Sequence, residues 1–491
     1  MTQVTHPAVQ PVTDPTATPA TQPAATPAIH PAATPATHPA AQPATNLNPA
    51  MSLQAEPFFA LAEQLFSQLQ GDEQLFLSLD GERSDFVRLN RNRVRQAGAV
   101  QTQQLGLTLI DGERQLDGSC DLSGDPASDR ALALRLLGQL RERVPHLPAD
   151  PYLNLCATPS SSHRALKAEL PSAAEAIANL TEQAEGLDLV GIYAAGEIAS
   201  GLASSIGHRH WHQSRSFNLD WSCYLDGDKA VKDSYSGFDW QARAVRERIE
   251  RQRERLAVMA RPTRQIEPGQ YRAFLAPAAM EELLGMLAWG GFGLRDHRTQ
   301  QTPLRRLAKG ELSLSPLFSL SEDHRRGLTP GFTDEGFLKP DQVPLIEQGR
   351  FGQCLADARS AKEYGEAVNA AAEFPESLAL AAGSLPTDQA LSALDTGLYL
   401  GNLWYSNWSD RNACRVTGMT RFGSFWVEGG ELIAPLAVMR FDDSLYRLFG
   451  DQLEALTRER ELRLSAETYA GRSTDSALLP GALVSSLNLP L

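Results

Sequence analysis

Apolar residues recur at every third or fourth position in Phe58, Leu61, Ala62, Leu65, Phe66 and Leu69, which lines one face of a helix that Gly71 and Asp72 end. The period then falls to two. Leu75, Leu77 and Leu79 share one face of a strand, Asp80-Gly81 is a two-residue hairpin signal, and a second strand is expected through Phe86 to Leu89. Leu105, Leu107 and Leu109 mark a third strand that turns at Asp111-Gly112 into a fourth, and helical spacing resumes over 132–140 before Pro145 and Pro148. The polar positions Arg88, Asn90, Asn92, Arg93 and Arg95 fit the solvated face of this meander.

A helix over 173–185 leads into a strand at 188–195, and 198–236 reads as several short strands broken at Gly201, Gly207 and Asp226-Gly227. Asp239 is the expected N-cap of a helix over 240–260 with the apolar line Val245, Ile249, Leu256 and Met259. Pro262 and Pro268 then mark a boundary. Beyond it the pattern predicts a strand at 270–275, a helix running into a glycine turn over 275–293, a strand at 312–320 and a loop at 327–336. A strand entering a turn follows at 345–349. After it come a helix at 388–394, a strand at 397–400, and an aromatic loop with Trp404, Tyr405 and Trp408. A hairpin of 422–428 with 431–439 turns at Gly429-Gly430, and 445–491 reads as a closing helix and tail.

The fold class expected is α+β: an N-terminal α/β meander domain and a C-terminal, mainly antiparallel β domain with helices. The domains are placed at 51–262, with a β-rich middle at about 188–238 and a linker helix at 240–260, and at 263–491. Residues 1–50 are set apart as a disordered arm. Proline stands at every fourth position from Pro7 to Pro43, which removes helical donors, and almost nothing large and apolar is available to bury. Met51 is the expected physiological start.

Composition narrows the function classes. In 491 residues, 42% hydrophobic and 21% charged is ordinary for a soluble globular chain, and a net charge of -14 repels nucleic acid in bulk. Five cysteines without a C-x-x-C pair argue for a reducing compartment, and no apolar run is long enough to span a membrane. No basic region followed by an apolar stretch opens the chain, so a cytoplasmic protein is expected.

Three stretches are candidates for chemistry. In Gly207-His208-Arg209-His210-Trp211-His212 a strand would set His208, His210 and His212 on one face, able to grip a metal or to line a substrate site. Asp334 and Glu335 sit in a glycine loop as candidate acid/base or substrate-binding groups, although adjacent acids beside glycine commonly form turns. Six arginines over 243–255 make the only basic run. Glu247, Glu250 and Glu254 interleave with them, as on a solvated helix. No G-x-S-x-G motif supports covalent catalysis.

Five pieces in order carry a resemblance: Thr333-Asp334-Glu335-Gly336, Leu345-Ile346-Glu347-Gln348-Gly349, Ala358-Arg359-Ser360-Ala361-Lys362-Glu363-Tyr364-Gly365, Thr417-Gly418, and Gly423-Ser424-Phe425-Trp426-Val427-Glu428-Gly429-Gly430-Glu431. From Met51 onward the chain resembles the TldD/PmbA family. The resemblance implies a heterodimeric cytoplasmic zinc peptidase that encloses a chamber and cuts unfolded peptides. The TldD-type subunit carries His-Glu-x-x-x-His on a helix: two imidazoles one turn apart hold the ion, and the glutamate deprotonates its water. Here the aligned stretch, 288–293, offers no ligand, and no His is followed directly by Glu anywhere in the chain. The resemblance is therefore to the PmbA (TldE) subunit. It implies no cofactor bound by this chain, zinc in a TldD-type partner or a second copy of this chain as the alternative mate, and peptide added at a sheet edge. Two other readings are a peptidase built on His208, His210 and His212 with Cys414 or Asp334, and a DNA- or gyrase-associated regulator.

Overall fold

The computed structural model describes residues 52–490 except Lys167, Asp228, Gly327, Tyr469 and Ala470; the proline-repeat arm expected at 1–50 lies outside the described residues. Helix α1 (Ala55–Phe66) buries Phe58, Leu61, Ala62 and Leu65, the face its spacing predicts. Strands β1 (Gln74–Asn90), β2 (Arg93–Asp111) and β3 (Arg114–Asp121) follow as a meander. Helix α2 (Pro126–Arg143) starts where Asp125 accepts the Ser128 backbone N–H at 2.9 Å and Pro126 needs no partner. Next come β4 (Ser161–Leu166) and α3 (Ala173–Gln183), the latter opened by a reciprocal Ser172 and Glu175 capping box. Strands β5 (Asp188–Ser204), β6 (Arg209–Asp226) and β7 (Lys229–Gly237) and helix α4 (Ala242–Met259) complete the first half.

The first sheet runs β3-β2-β1-β5-β6, and β6 divides its outer edge. Its first part, from Arg209 to Ser214, pairs parallel with β4, and its second part pairs antiparallel with β7.

Several expectations for this half are corrected. Asp80-Gly81 does not turn: β1 is one unbroken strand, paired from Gln74↔Ile110 to Asn90↔Arg93. A Cβ on Gly81 would stand 2.4 Å from Leu53, so that glycine makes room for packing. The chain reverses instead at Arg91 and Asn92, both at positive φ, where Asn92 donates to the Thr181 and Ala184 carbonyls at 2.9 and 3.0 Å. Gly201 does not break β5 either; it lies against the rings of Phe58 and Trp211. Helix α4 is capped at Gln241 without a side-chain bond, because Asp239 is held outside it in a bridge to Glu169.

The second half contains β8 (Gly269–Leu275), α5 (Pro277–Ala288), α6 (Leu294–Arg298), α7 (Arg305–Ala308), β9 (Leu320–Asp323), β10 (Gln342–Glu347) and β11 (Arg350–Phe351). It continues with α8 (Ala358–Tyr364), β12 (Ser377–Leu380), α9 (Ala390–Leu394), β13 (Gly397–Asp410), β14 (Arg415–Glu428) and β15 (Glu431–Pro435). It closes with β16 (Arg440–Ser444), α10 (Leu445–Leu448), β17 (Leu453–Leu464) and β18 (Ser476–Leu489). The second sheet runs β11-β10-β9-β12-β18-β8-β13-β14-β15, with β17 on β18 and β16 on β14. It is antiparallel except where β12 meets β18 and β13 meets β8.

The hairpin at Gly429-Gly430 forms as expected, both glycines at positive φ, with a return strand that ends at Pro435. The strand expected at 312–320 is loop until Leu320. The aromatic segment around Trp404 and Tyr405 belongs to β13, kept in the ladder by bulges at Leu400/Asn402 and Trp404/Asn407. The expected closing helix and tail are corrected most: α10 has four residues, and β18 lies in the middle of the sheet, between β12 and β8.

One hydrophobic cluster packs α1 and α2 on the first sheet, and another surrounds α5 on the second. A third joins the halves, with Tyr193, Trp221 and Ile249 from one side against Phe274, Tyr399, Phe425 and Leu483 from the other. All five cysteines are free thiols. Among the described residues no helix is long and apolar enough to cross a membrane.

Candidate functional site

His208, His210 and His212 do share one side of the β6 segment, and the loop bearing Asp334 and Glu335 closes over them. The His210 ring stacks on Phe332 with centroids 5.0 Å apart, and the Cys156 N–H donates to the Glu335 carbonyl at 2.9 Å. A Cβ on Gly336 would meet the His208 ring at 2.7 Å, so only glycine lets the loop come this close. All three histidines are fully buried. His208 Nε2 lies 2.8 Å from the Cys156 carbonyl, which can only accept, so that nitrogen carries the proton and Nδ1 accepts from Ser160. His212 Nε2 donates to the Leu328 carbonyl in the same way. His210 lies between Ser160 Oγ and Ser162 Oγ, at 3.1 and 2.8 Å.

Burial keeps His210 and His212 neutral. Burial, with His208 second, lowers the His210 imidazole to about 4, and burial lowers His212 to about 4 despite its bond to Leu328. Asp334 keeps an exposed edge, yet the protein around its carboxyl strips hydration and, with Glu335 adding repulsion, pushes it up to about 6. Burial raises Glu335 as well. Cys414 is not brought to the histidines; it is buried in the cluster around α5 with Phe441 and Tyr446.

Helix α5 and the glycine turn after it occupy the position of a zinc helix. Met280, Leu283, Leu284 and Leu287 are buried in the core, and Glu281 is bonded to Arg463. Helix α6, beyond the glycine turn, contributes His297, whose Nε2 donates to the Gly291 carbonyl at 2.8 Å and whose ring packs on Phe351. These residues do not fit a peptidase zinc, since no pair of imidazoles or thiolates faces a common point on the helix.

At the junction of the two halves a cleft of roughly 680 Å³ is lined by Arg248, Arg251, Arg255, Tyr399, Arg463 and the start of α5 at Ala278. Two arginines of the basic helix are already engaged there, and a third outside the cleft. Arg248 bonds Asp233 and Glu461 at 2.9 and 3.2 Å, and Arg255 donates to the Tyr399 hydroxyl at 2.6 Å. Arg253 donates to the Gln183 and Glu185 carbonyls. In the wall of the cleft the β13 and β14 ladder breaks beside Gly401 and Gly423.

A further cluster escaped the sequence reading. Glu322, His324 and Glu376 bring their ligand atoms within 4.8 Å of one another, the only such His/Cys/Asp/Glu group among the described residues. The signal that could have found it is Glu-x-His, spaced as two residues on one face of an extended segment, with His324 just past the end of β9; Glu376 arrives only through the fold.

Comparison with known proteins places residues 268–490 on the family model described as PmbA/TldA metallopeptidase C-terminal domain. The fold is similar to that of a proposed DNA gyrase modulator from Thermotoga maritima, with a TM-score of 0.69 and 14% identity over 88% of this chain and 99% of that one. It is similar also to TldE from Thermococcus kodakarensis, with a TM-score of 0.67 and 15% identity over 89% of this chain and 100% of that one. A Bacteroides thetaiotaomicron protein, another proposed gyrase modulator, gives 0.65 and 14% over 89% and 98%. No curated protein sequence matches the chain.

Proposed function

We propose that this chain, whose residues 268–490 match the PmbA/TldA metallopeptidase C-terminal domain model, is a member of the TldD/PmbA family and the TldE-type subunit of a cytoplasmic peptidase whose zinc is carried by a TldD-type partner. The observation that carries the proposal is α5, which enters the core after β8 with Glu281 tied to Arg463 and without a histidine. Such a subunit closes a chamber and holds substrate while the partner supplies the metal that activates water.

The junction cleft suits an extended, unfolded peptide. Arg251 in its lining and the Tyr399 hydroxyl, which accepts from Arg255 and keeps its own proton to donate, offer hydrogen bonds to carbonyls and carboxylates, and an extended peptide would lay its backbone along the bulged wall at Gly401 and Gly423. Backbone pairing accepts many sequences, which is what a processor of unfolded chains requires. The alternative peptidase on His208, His210 and His212 has less support, because those rings are buried and five of their six nitrogens are taken by Cys156, Ser160, Ser162 and Leu328, which leaves His212 Nδ1 alone without a partner. A nucleic-acid role is likewise weakened by the internal engagement of Arg248, Arg253 and Arg255.

The test is peptide cleavage by the chain alone and after co-expression with a TldD-type protein carrying His-Glu-x-x-x-His. We expect no cleavage from the lone chain, a co-purifying complex, and chelator-sensitive cleavage that Tyr399→Ala weakens. Cleavage by the lone chain would overturn the reading, and so would failure to co-purify.

A further inference from the structure

Glu322 lies on β9 and His324 just beyond it, while Glu376 stands immediately before β12. Glu322 and His324 are almost wholly buried, with side chains 2% and 4% exposed. The imidazole is oriented by its surroundings. Its Nδ1 is 3.0 Å from the Pro340 carbonyl, which can only accept, so Nδ1 carries a proton and Nε2 is the nitrogen left to bind anything else.

That Nε2 has no hydrogen-bond partner, although Glu322 Oε1 is 3.2 Å away. With Nε2 bare, two acceptors face each other in a buried place, at a cost unless something positive lies between or beside them. A proton on Nε2 would set an imidazolium against the carboxylate at 3.2 Å but without the alignment of a hydrogen bond, whereas a bound cation satisfies both atoms at once. Glu322 meanwhile spends its oxygens as acceptors, from the Ser377 N–H at 2.8 and 3.0 Å and the Glu376 N–H at 3.2 Å. Those bonds orient the carboxylate as outer partners orient a metal ligand, and the Pro340 carbonyl does the same for the imidazole.

We propose that Glu322, His324 and Glu376 bind one divalent transition-metal ion of the zinc class, in a structural site that clasps β9, the 339–341 segment and the start of β12. One imidazole and two carboxylates are a donor set suited to such an ion, with water in the remaining position. Lys339 is compatible with it: its ammonium bonds Glu376 Oε2 at 2.7 Å and leaves Oε1 to the metal. Two carboxylates against a single ammonium leave negative charge for the ion to balance. The same field reaches Asp475, whose carboxyl is raised by burial first and then by Glu376 and Glu322. The Glu376 side chain, 21% exposed, gives the ion a way in. This assignment departs from the expectation that the chain holds no metal, and it shares no residue with α5 or with the peptide cleft.

The experiment uses the whole chain, stripped with a chelator and titrated with zinc by calorimetry, with metal content measured after dialysis. We expect one zinc per chain and a higher Tm on binding. His324→Gln weakens binding by about 100-fold or more, while its metal-free Tm stays near that of the stripped parent. Should that variant not fold, Glu376→Gln takes its place with the same expected loss. Cobalt in place of zinc gives a visible absorption band that disappears in the variant. No zinc uptake by the stripped parent would overturn the proposal, as would uptake unchanged in His324→Gln or in the Glu376→Gln that replaces it. Peptide cleavage is not the readout, so the site and the subunit reading fail separately.

Discussion

Gln252 is a polar side chain at full burial, and three bonds account for it. It accepts from Trp221 Nε1 at 2.6 Å and from Cys223 Sγ at 3.0 Å, and donates to the Val231 carbonyl at 3.2 Å. Replacing it with leucine strands the indole N–H, so Gln252→Leu is expected to cost about 1–3 kcal/mol in urea unfolding. A loss below about 0.5 kcal/mol, the level of an ordinary surface change, would show that the network adds little. His210 and His212 set a pH dependence. Their folded values, about 4, lie below the ordinary 6.5, so the unfolded chain binds more protons between those limits. Their contribution is therefore complete above about pH 6.5 and is lost as pH falls toward 4, with a slope of up to about 1.4 kcal/mol per pH unit for each ring. Asp334, raised to about 6, acts with the opposite sign, so the comparison belongs in an Asp334→Asn background. There His212→Gln is expected to flatten the slope by about one proton; an unchanged slope would mean that His212 is protonated in the folded state.

Among the turns and strands, glycine's meaning depended on its neighbours. Gly81 and Gly201 read as breaks from the chain alone, yet each lies inside a long strand where a side chain from elsewhere fills the space above it. Gly429-Gly430 was legible because a two-residue reversal between apolar runs is a local event. Gly336 combines both requirements, a φ of +88° and the His208 ring where a Cβ would go. Gly112, at a φ of +62° with open space around it, has only the first. Gly112→Ala is expected to cost about 1 kcal/mol from backbone strain, and Gly336→Ala about 2–4 kcal/mol once overpacking is added. Equal thermal shifts in the two variants would show that the loop carrying Asp334 yields freely above the histidines.

Across the molecule, the boundary suggested by Pro262 and Pro268 separates two sheets but not two cores. Trp221, Tyr193 and Ile249 pack with Phe274, Tyr399 and Leu483, and Arg463 of β17 reaches both Glu281 of α5 and Ser234 of β7. A piece ending at 262 would expose that shared apolar face. We expect residues 52–262 made alone to bind a hydrophobic dye and to lack a cooperative melt, while the whole chain unfolds in one transition. Two separate transitions in the whole chain would instead mean that each sheet stands by itself.

Periodicity was enough for α1, α2, α3 and most strands, because a helix or strand buries one face and writes that face into its own residues. The lack of a zinc helix was equally local, being a matter of which side chains one helix carries. What α5 touches, which glycines turn, and the place of β18 in the sheet interior depend on partners far along the chain. The histidines could be seen to share a face, but their burial comes from a loop more than a hundred residues later. Glu376 joins Glu322 and His324 in the same way: β12 pairs with β9 across an interval that no local pattern records. Spacing along the chain states which face a residue occupies; only the folded chain decides what stands opposite it.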